Sequence, residues 1–191
     1  MKLIQRHGYI EFLRRNRERS IIKVVSGIRR CGKSTLFRLF KDELLAEGVK
    51  PEQIISINFE DLEYEPLREY HRLYQYILNQ MQPNQMNYIF LDEIQHVDQF
   101  HRVVDSLFVK ENTDIYITGS NAYFMSSDIA TLLTGRYVEI QMLPLSFAEF
   151  YYSKYEEQQY SLIPAYEAYL RESSFPYTQQ LGGEDFDIQE Y

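Results

Sequence analysis

The chain has a single cysteine, no tryptophan, few glycines and prolines, and no long apolar run. Its 191 residues include 8 glycines and 6 prolines. One cysteine excludes an internal disulfide, so a reducing, cytoplasmic setting is expected. No apolar run approaches the roughly 20 residues that a membrane-spanning helix needs, and residues 1–6 lack the apolar core of a signal peptide. These absences favour a globular protein without a membrane partner.

Basic charge is scarce outside the first part of the chain. The net charge is −8, and residues 1–50 hold 13 of the 20 lysines and arginines but 5 of the 28 aspartates and glutamates. A basic segment of this kind is typical of a solvated amphipathic helix, or of a positive field that attracts polyphosphates or nucleic acid. The acidic total argues against a protein that is mainly a DNA-binding module.

The most informative segment that is present runs from Gly27 to Ser34 and reads GIRRCGKS. It fits the phosphate-binding pattern G-x-x-x-x-G-K-[ST] at every fixed position. In such loops backbone N–H groups surround phosphate oxygens, the lysine reaches the β- and γ-phosphates, and the hydroxyl after it binds Mg²⁺. The residues expected to bind a nucleoside triphosphate are Gly27, Ile28, Arg29, Arg30, Cys31, Gly32, Lys33, Ser34 and Thr35.

Hydrophobic patterning around this loop predicts the strand before it and the helix after it that the motif requires. The predicted strands are 21–26, 54–59, 88–93, 114–118 and 137–142, and the predicted helices are 6–16, 33–46, 66–81, 97–108 and 122–133. This alternation predicts an α/β fold with a mainly parallel five-stranded sheet flanked by helices. Ligands of such sheets bind at the carboxyl ends of the strands.

Two adjacent acids end the third predicted strand. Asp92 and Glu93 follow the apolar run 88–91 and come 59 residues after Lys33. An aspartate in this place binds Mg²⁺, and the next acid polarises a water for in-line attack on the γ-phosphate. Ser34 and Asp92 are therefore the expected metal ligands, and Glu93 is the expected base.

Polar residues near the fourth and fifth strands are further candidates. Ser120 and Asn121 follow the fourth strand, and either could orient the water or sense the γ-phosphate; a turn or a helix cap is the alternative reading of both. Arg136 precedes the fifth strand. It could stabilise transition-state charge, from its own chain or from a neighbour, or it could be an ordinary surface arginine.

Taken together, these motifs resemble the prokaryotic AAA-type ATPases whose loop reads G-[IV]-R-R-x-G-K-S. The matching segments, in order over about residues 6–151, are GIRRCGKSTL, INFED, YIFLDEIQ, YITGSNA, LLTGRYVEI and LPLSFAEF. The resemblance implies ATP and Mg²⁺ as cofactors, with an additional strand between the Walker A and Walker B strands. It also implies that Lys33 and Ser34 have the phosphate-loop roles, Asp92 and Glu93 the metal and water roles, Ser120 or Asn121 that of the sensor, and Arg136 that of the family's arginine.

The pattern changes past Pro144. Ser146 and Glu149 fit a capping box that opens a helix, and residues 164–171 predict another helix. Proteins of the resembled family usually continue with a C-terminal domain that is nuclease-like or of unknown function. We therefore expect residues 1–150 to form the ATP-binding core and residues 151–191 to begin a C-terminal helical or linker region.

The favoured function is Mg²⁺-dependent ATP hydrolysis that drives a conformational or assembly change. One alternative is a nucleotide-gated interaction module with little hydrolysis. Another is a small-molecule P-loop kinase, which the acid pair disfavours because it points to water as the nucleophile. Expected partners are a second copy of the chain or another protein, with nucleic acid contacted only through a further domain.

Overall fold

A computed structural model describes residues 4, 6–120, 133, 135–155, 160–172 and 174–176. The strands are β1 (Ile22–Gly27), β2 (Ile54–Asn58), β3 (Asn87–Asp92), β4 (Thr113–Gly119) and β5 (Tyr137–Met142). The α-helices are α1 (His7–Asn16), α2 (Lys33–Ala46), α3 (Tyr70–Gln80), α4 (Phe100–Phe108), α5 (Phe147–Tyr155) and α6 (Leu162–Arg171). Almost all of the helix predicted at 122–133 lies outside the described residues.

The five strands form one parallel sheet in the order β2-β3-β4-β1-β5. The prediction of a mainly parallel five-stranded sheet is therefore confirmed. β2, the strand that lies in sequence between β1 and β3, is at one edge, and β4 separates β1 from β3. Since all strands point the same way, the loop after β1 and the acids at the end of β3 lie at the same end of the sheet, the carboxyl ends of the strands.

The core has two parts, one on each face of the sheet. On one face, Ile89 and Ile117 pack with the apolar sides of α3 and α4. On the other face, Phe90 and Tyr116 stack with their ring centroids 4.6 Å apart and pack against α2. β1 and β3 are buried at every residue, as continuous apolar runs in a parallel sheet predict. A sheet covered on both faces holds the strand ends in fixed positions.

The structure corrects the predicted starts of two helices. Pro66 lies inside a separate 3₁₀ helix, Leu62–Arg68, and not in the first turn of the helix that follows. That helix, α3, starts at Tyr70 because the extended residue Glu69 caps it with its carboxylate. Similarly, α4 begins at Phe100 because Gln99 has a left-handed backbone with φ +48°. In the part of the chain that the structure describes, no helix is long and apolar enough to cross a membrane.

A buried ionic network joins β1 and β4 at their amino-terminal ends. Lys23 and Asp114 form an ion pair in which both side chains are fully buried. The lysine also donates to the carbonyl of Arg19 at 3.0 Å, and Asp114 accepts hydrogen bonds from the Tyr116 hydroxyl at 2.7 Å and the Glu18 backbone N–H at 2.8 Å. Burial lowers the pKa of Lys23, and the attraction of Asp114 opposes that change. Nζ of Lys23 and both carboxylate oxygens of Asp114 thus have partners within one network.

Replacing Asp114 with alanine is expected to cost about 3–5 kcal/mol of unfolding free energy, because the charge of Lys23 is left buried without its partner. Urea denaturation followed by circular dichroism measures this loss. The double variant Lys23→Met/Asp114→Asn removes both charges and keeps an acceptor for Tyr116, so it should regain at least half of the lost stability. A single variant as stable as the unchanged protein would contradict this assignment.

Candidate active site

The GIRRCGKS loop connects the end of β1 to the start of α2. Gly27 allows close packing, since a Cβ there would collide with the carbonyl oxygen of Met142 and lie 2.9 Å from Sγ of Cys31. Gly32 has φ +106°, a conformation that favours glycine, and it precedes the first residue of α2. The fixed glycines of the motif are thus required by a close contact and by a left-handed turn.

The amino terminus of α2 opens onto this loop. Its first backbone N–H groups have no acceptor within the helix, and they form the positive end of the helix dipole. No acidic residue occupies the first turn of this 14-residue helix. A loop and helix terminus of this kind bind anions such as phosphate.

Lys33 lies in the hollow of the loop and is almost completely buried. Its Nζ donates to the carbonyl oxygens of Gly27 at 3.1 Å and Ile28 at 3.2 Å. It also forms an ion pair with Oε1 of Glu93 at 3.1 Å. The lysine of the phosphate loop and the predicted base are therefore in direct contact.

Asp92 and Ser34, the two predicted metal ligands, lie side by side. The carboxylate of Asp92 accepts hydrogen bonds from the hydroxyls of Ser34 and Thr118. Burial raises the pKa of Asp92, and these two hydrogen bonds only partly oppose the rise. Thr118, which was not among the predicted site residues, also accepts the backbone N–H of Glu93 at 2.9 Å. Thr118, which lies on the neighbouring strand β4, therefore holds both acids in place.

Glu93 has a left-handed backbone, with φ +54°. This turn, unusual for a residue with a side chain, directs the carboxylates of Asp92 and Glu93 towards the same end of the sheet. Oε2 of Glu93 accepts a hydrogen bond from Nε2 of Gln95 at 2.5 Å. Both carboxylate oxygens of the predicted base thus have a defined partner.

A cavity of about 380 Å³ lies beside Lys33 and Glu93. Its wall contains Arg29, Lys33, Glu60, Arg68, Glu93, Gln95, His96 and Ser120. Ser120 therefore lines the same cavity as Glu93, whereas Asn121 lies outside the described residues. Arg29 pairs with Glu60 at 2.8 Å on the exposed side of the cavity. Sequence reasoning missed Arg68 and His96, which lie in none of the matching segments, and it gave no role to Gln95, the last residue of YIFLDEIQ.

The described residues contain no group of three His, Cys, Asp or Glu side chains placed to hold a metal ion. Ser34 and Asp92 together offer one hydroxyl and one carboxylate. Mg²⁺ usually binds one or two carboxylates together with substrate phosphates and waters, and it does not need an all-protein cage. The residues that are present therefore fit Mg²⁺ bound together with a nucleotide.

A second hollow lies on the other side of the loop, beside Gly32 and Thr35. Its apolar wall includes Leu36, Leu39 and Met142, and a larger cavity of about 1150 Å³ adjoins it. Two residues, Ile4 and Arg6, line both spaces.

Arg6, another residue that sequence reasoning missed, ties this region to the loop. It donates to the carbonyl of Cys31 at 3.2 Å, to that of Leu143 at 2.7 Å, and to the carboxylate of Glu149 at 2.8 and 3.0 Å. Burial tends to raise the pKa of Glu149, but bonds from Arg6 and Ser146 outweigh it and leave the pKa below its usual range. The predicted capping box of Ser146 and Glu149 forms as part of this cluster.

Arg136 lies at the amino-terminal ends of the strands, whereas the loop lies at their carboxyl ends. Its carbonyl accepts the backbone N–H of Ile22, the first residue of β1, and its guanidinium pairs with Asp105 at 2.8 Å. The length of β1, roughly 17 Å at 3.3 Å per residue, separates it from Gly27. The structure therefore excludes contact of Arg136 with a phosphate bound in the loop of its own chain.

The comparisons with known proteins agree with this geometry. Residues 19–151 match a family described as AAA domain. The chain is 41% identical over 176 residues to an uncharacterized protein of Haemophilus influenzae, a match that covers 91% of this chain and 44% of the relative. It is 35% identical over 134 residues to an uncharacterized protein of Methanocaldococcus jannaschii, covering 68% and 28%. The chain thus spans less than half the length of these two relatives.

Solved structures share the fold at low sequence identity. A Walker-type ATPase of Pyrococcus abyssi superposes with a TM-score of 0.58 and 18% identity, covering 93% of this chain and 66% of that one. AMPPCP-bound DnaA from Aquifex aeolicus gives a TM-score of 0.59 and 11% identity, covering 95% and 62%. These likenesses show the sheet and its helices in proteins that bind nucleotides.

Proposed function

This chain belongs to the AAA domain family, and from that membership we propose that it binds ATP with Mg²⁺ and hydrolyses the γ-phosphate to drive a conformational or assembly change. The observation that carries the proposal is that four side chains meet at the carboxyl ends of the strands: Lys33, Ser34, Asp92 and Glu93. They come from two segments separated by a full strand–helix unit. Each has the chemistry that one part of the reaction needs.

In the proposed reaction, the N–H groups of the loop and of α2 bind the phosphates. Lys33 gives up its ion pair with Glu93 and binds phosphate oxygens instead. Mg²⁺ held by Ser34 and Asp92 would neutralise charge on the β- and γ-phosphates. Release from Lys33 leaves the carboxylate of Glu93 able to accept a proton from water. The water oxygen then bonds to phosphorus, and the bond to the β,γ-bridging oxygen breaks.

We assign the nucleotide base to the apolar hollow beside Gly32 and Thr35. A triphosphate whose γ-phosphate lies at Lys33 and Glu93 and whose chain follows the start of α2 would carry its base to the side away from Glu93. Leu36, Leu39 and Met142 line this hollow of about 40 Å³, and the adjoining larger cavity gives the room that a base needs. Leu39→Asp should weaken binding of ATP and ADP alike, and equal affinities in that variant would contradict the assignment.

Binding and turnover measured on the same 191-residue chain test the proposed function. Calorimetry with ATP should show binding, and phosphate release should require Mg²⁺ and stop in EDTA. Tight ATP binding without phosphate release would instead support the alternative of a nucleotide-gated interaction module. A phosphorylated small molecule in place of free phosphate would support the kinase alternative.

For Arg136 we propose a role across a subunit boundary, because its own loop is out of reach. An arginine supplied by a neighbouring copy can stabilise the transition-state charge. Arg136 is half exposed, which leaves it accessible to a second copy.

Mixing two inactive variants tests this role. Arg136→Ala chains keep the phosphate loop, and Lys33→Ala chains keep the arginine. Turnover of the mixture is expected to exceed the sum of the two separate activities several-fold, since mixed assemblies contain complete sites. A strictly additive result, or full activity of Arg136→Ala alone, would contradict the proposal.

We further propose that residues 1–150 form the ATP-binding core and that residues 151–191 begin a C-terminal region through which a protein or nucleic acid partner is engaged. The lengths of the two relatives, each more than twice the matched part, support this division. Limited proteolysis in the presence of ATP should leave a stable fragment that ends at or just beyond α5, the helix (Phe147–Tyr155) in which residue 150 lies. Cleavage within β1 to β5 before any cut beyond residue 150 would contradict it.

A further inference from the structure

Within the described ranges, two buried side-chain atoms have no hydrogen-bond partner: Nε of Arg68 and Oε1 of Gln95. Both residues line the 380 Å³ cavity beside Lys33 and Glu93. Buried polar atoms of this kind are uncommon, because each costs about 1–3 kcal/mol when it is left unsatisfied. Both atoms belong to residues in the wall of one cavity, next to the predicted base, so a ligand bound there, with a small turn of either side chain, would give each atom a partner.

Arg68 is held in place by the backbone around it. Its Nη2 donates to the carbonyl of Phe59 at 2.8 Å, and its own carbonyl accepts the N–H of Asp98 at 2.9 Å. Glu60, an acid that lines the same cavity, pairs with Arg29. Arg68 therefore brings a fixed positive charge and an unused N–H donor to the cavity, the combination that binds phosphate oxygens.

Gln95 is oriented by the predicted base. Because Oε2 of Glu93 is a carboxylate oxygen and accepts only, the group that meets it at 2.5 Å must be the NH₂ of Gln95. This contact fixes the side-chain amide and leaves its oxygen as an unused acceptor. An acceptor cannot bind a phosphate oxygen that carries no proton, so the group that satisfies Oε1 must donate a hydrogen.

We propose that Arg68 binds the γ-phosphate and that Gln95 positions the attacking water, both within a single chain. The proposal rests on the proposed ATP hydrolysis and names the residues that complete it. A water in this cavity donates one hydrogen to Glu93 and the other to Oε1 of Gln95, which leaves a lone pair for attack. The new bond joins the water oxygen to phosphorus, the bridging oxygen leaves with its electron pair, and the proton passes to Glu93.

The placement of Arg136 strengthens the assignment of Arg68. Arg136 lies at the other end of the strands. Among the described residues, the lysine and arginines that line this cavity are Lys33, Arg29 and Arg68. Arg29 is mostly exposed and paired. Arg68 is thus the arginine best placed to distinguish ATP from ADP without a second copy.

Replacing Arg68 with glutamine should weaken binding of a non-hydrolysable ATP analogue by about 10- to 100-fold, the loss of a charged hydrogen bond. ADP affinity should stay within about threefold, because ADP lacks the phosphate that the arginine contacts. Arg68→Lys keeps the charge but not the planar fork, so it should restore part of the affinity. The exposed Arg72 supplies the control Arg72→Gln, which should leave both affinities unchanged.

Replacing Gln95 with leucine, which has a similar size but no acceptor, should lower kcat by about 100-fold. The KM for ATP should change little, since the water and not the nucleotide is affected. The control is Gln75→Leu at an exposed position of α3. Melting temperatures and ADP binding of all variants show whether each protein folds.

The results separate this inference from the proposed function. In one outcome the unchanged chain binds and hydrolyses ATP, and Glu93→Gln abolishes turnover. If Arg68→Gln and Gln95→Leu then behave like their controls, the inference is wrong and ATP hydrolysis stands. If the unchanged chain neither binds nor hydrolyses ATP, the proposed function fails and the inference fails with it. Equal weakening of ATP analogue and ADP by Arg68→Gln would show a structural role and overturn the phosphate contact.

Discussion

Replacing Glu93 with glutamine is expected to lower ATP turnover by about 10²- to 10⁴-fold while nucleotide binding persists, because glutamine cannot accept the proton from water. The structure adds a second expectation. Glu93 pairs with Lys33 at 3.1 Å, and ATP must break that pair to reach the lysine. ATP affinity should therefore rise in Glu93→Gln. Phosphate release and calorimetry measure the two effects on the same protein.

Glu60 provides the matched control for this variant. It is also a carboxylate in the wall of the cavity, but its partner is Arg29 on the exposed side. Glu60→Gln should keep turnover within a few-fold of the unchanged protein. If Glu93→Gln and Glu60→Gln lose activity to the same extent, or if neither does, Glu93 is not the base.

Replacing Lys33 with alanine is expected to weaken ATP binding by about 10²- to 10⁴-fold, the loss of two charged hydrogen bonds to the β- and γ-phosphates. ADP binding should weaken less, since the contact to the γ-phosphate does not arise. In the protein without nucleotide, the same change leaves the carboxylate of Glu93 buried without its ion pair. Titration with ATP and ADP, followed by a thermal melt, measures both consequences.

Arg38→Ala is the control for Lys33→Ala. It removes one positive charge from the same helix, α2, at an exposed position. If the affinity for ATP depended only on the basic charge of the first 50 residues, the two variants would be equally weak. A specific loss in Lys33→Ala, with Arg38→Ala close to the unchanged protein, supports a phosphate contact.

The fold was largely predictable because its signals are local. Apolar runs such as 88–91 mark buried strands, and the spacing of leucines and phenylalanines after Lys33 marks α2. Helix starts were less predictable. The cap provided by Glu69 and the left-handed turn at Gln99 depend on backbone geometry, which hydrophobic periodicity does not report.

The candidate site was predictable only where a motif marks it. Lys33, Ser34, Asp92 and Glu93 stand at fixed places of recognisable patterns. Thr118 and Gln95 lie inside matching segments, but no general chemistry is attached to their places, and Arg68 lies in none of these segments. Arg68 and Gln95 line one cavity, whereas Thr118 bonds to the two acids from β4. Thr118 had one weak signal, a hydroxyl at the end of the strand that pairs with β3.

The sequence by itself determined that this chain has a phosphate-binding loop and an acid pair at the ends of two buried strands, because both signals lie within a few consecutive residues. Only the tertiary structure decided how they meet. The strand order β2-β3-β4-β1-β5 places β4 between the two motifs, so Thr118 can bond to both acids. The parallel direction of β5, the strand that follows Arg136, leaves that arginine at the opposite ends of the strands. The tertiary structure also brings Arg68 and Gln95 to one cavity, because contacts between distant segments depend on packing and not on neighbouring residues.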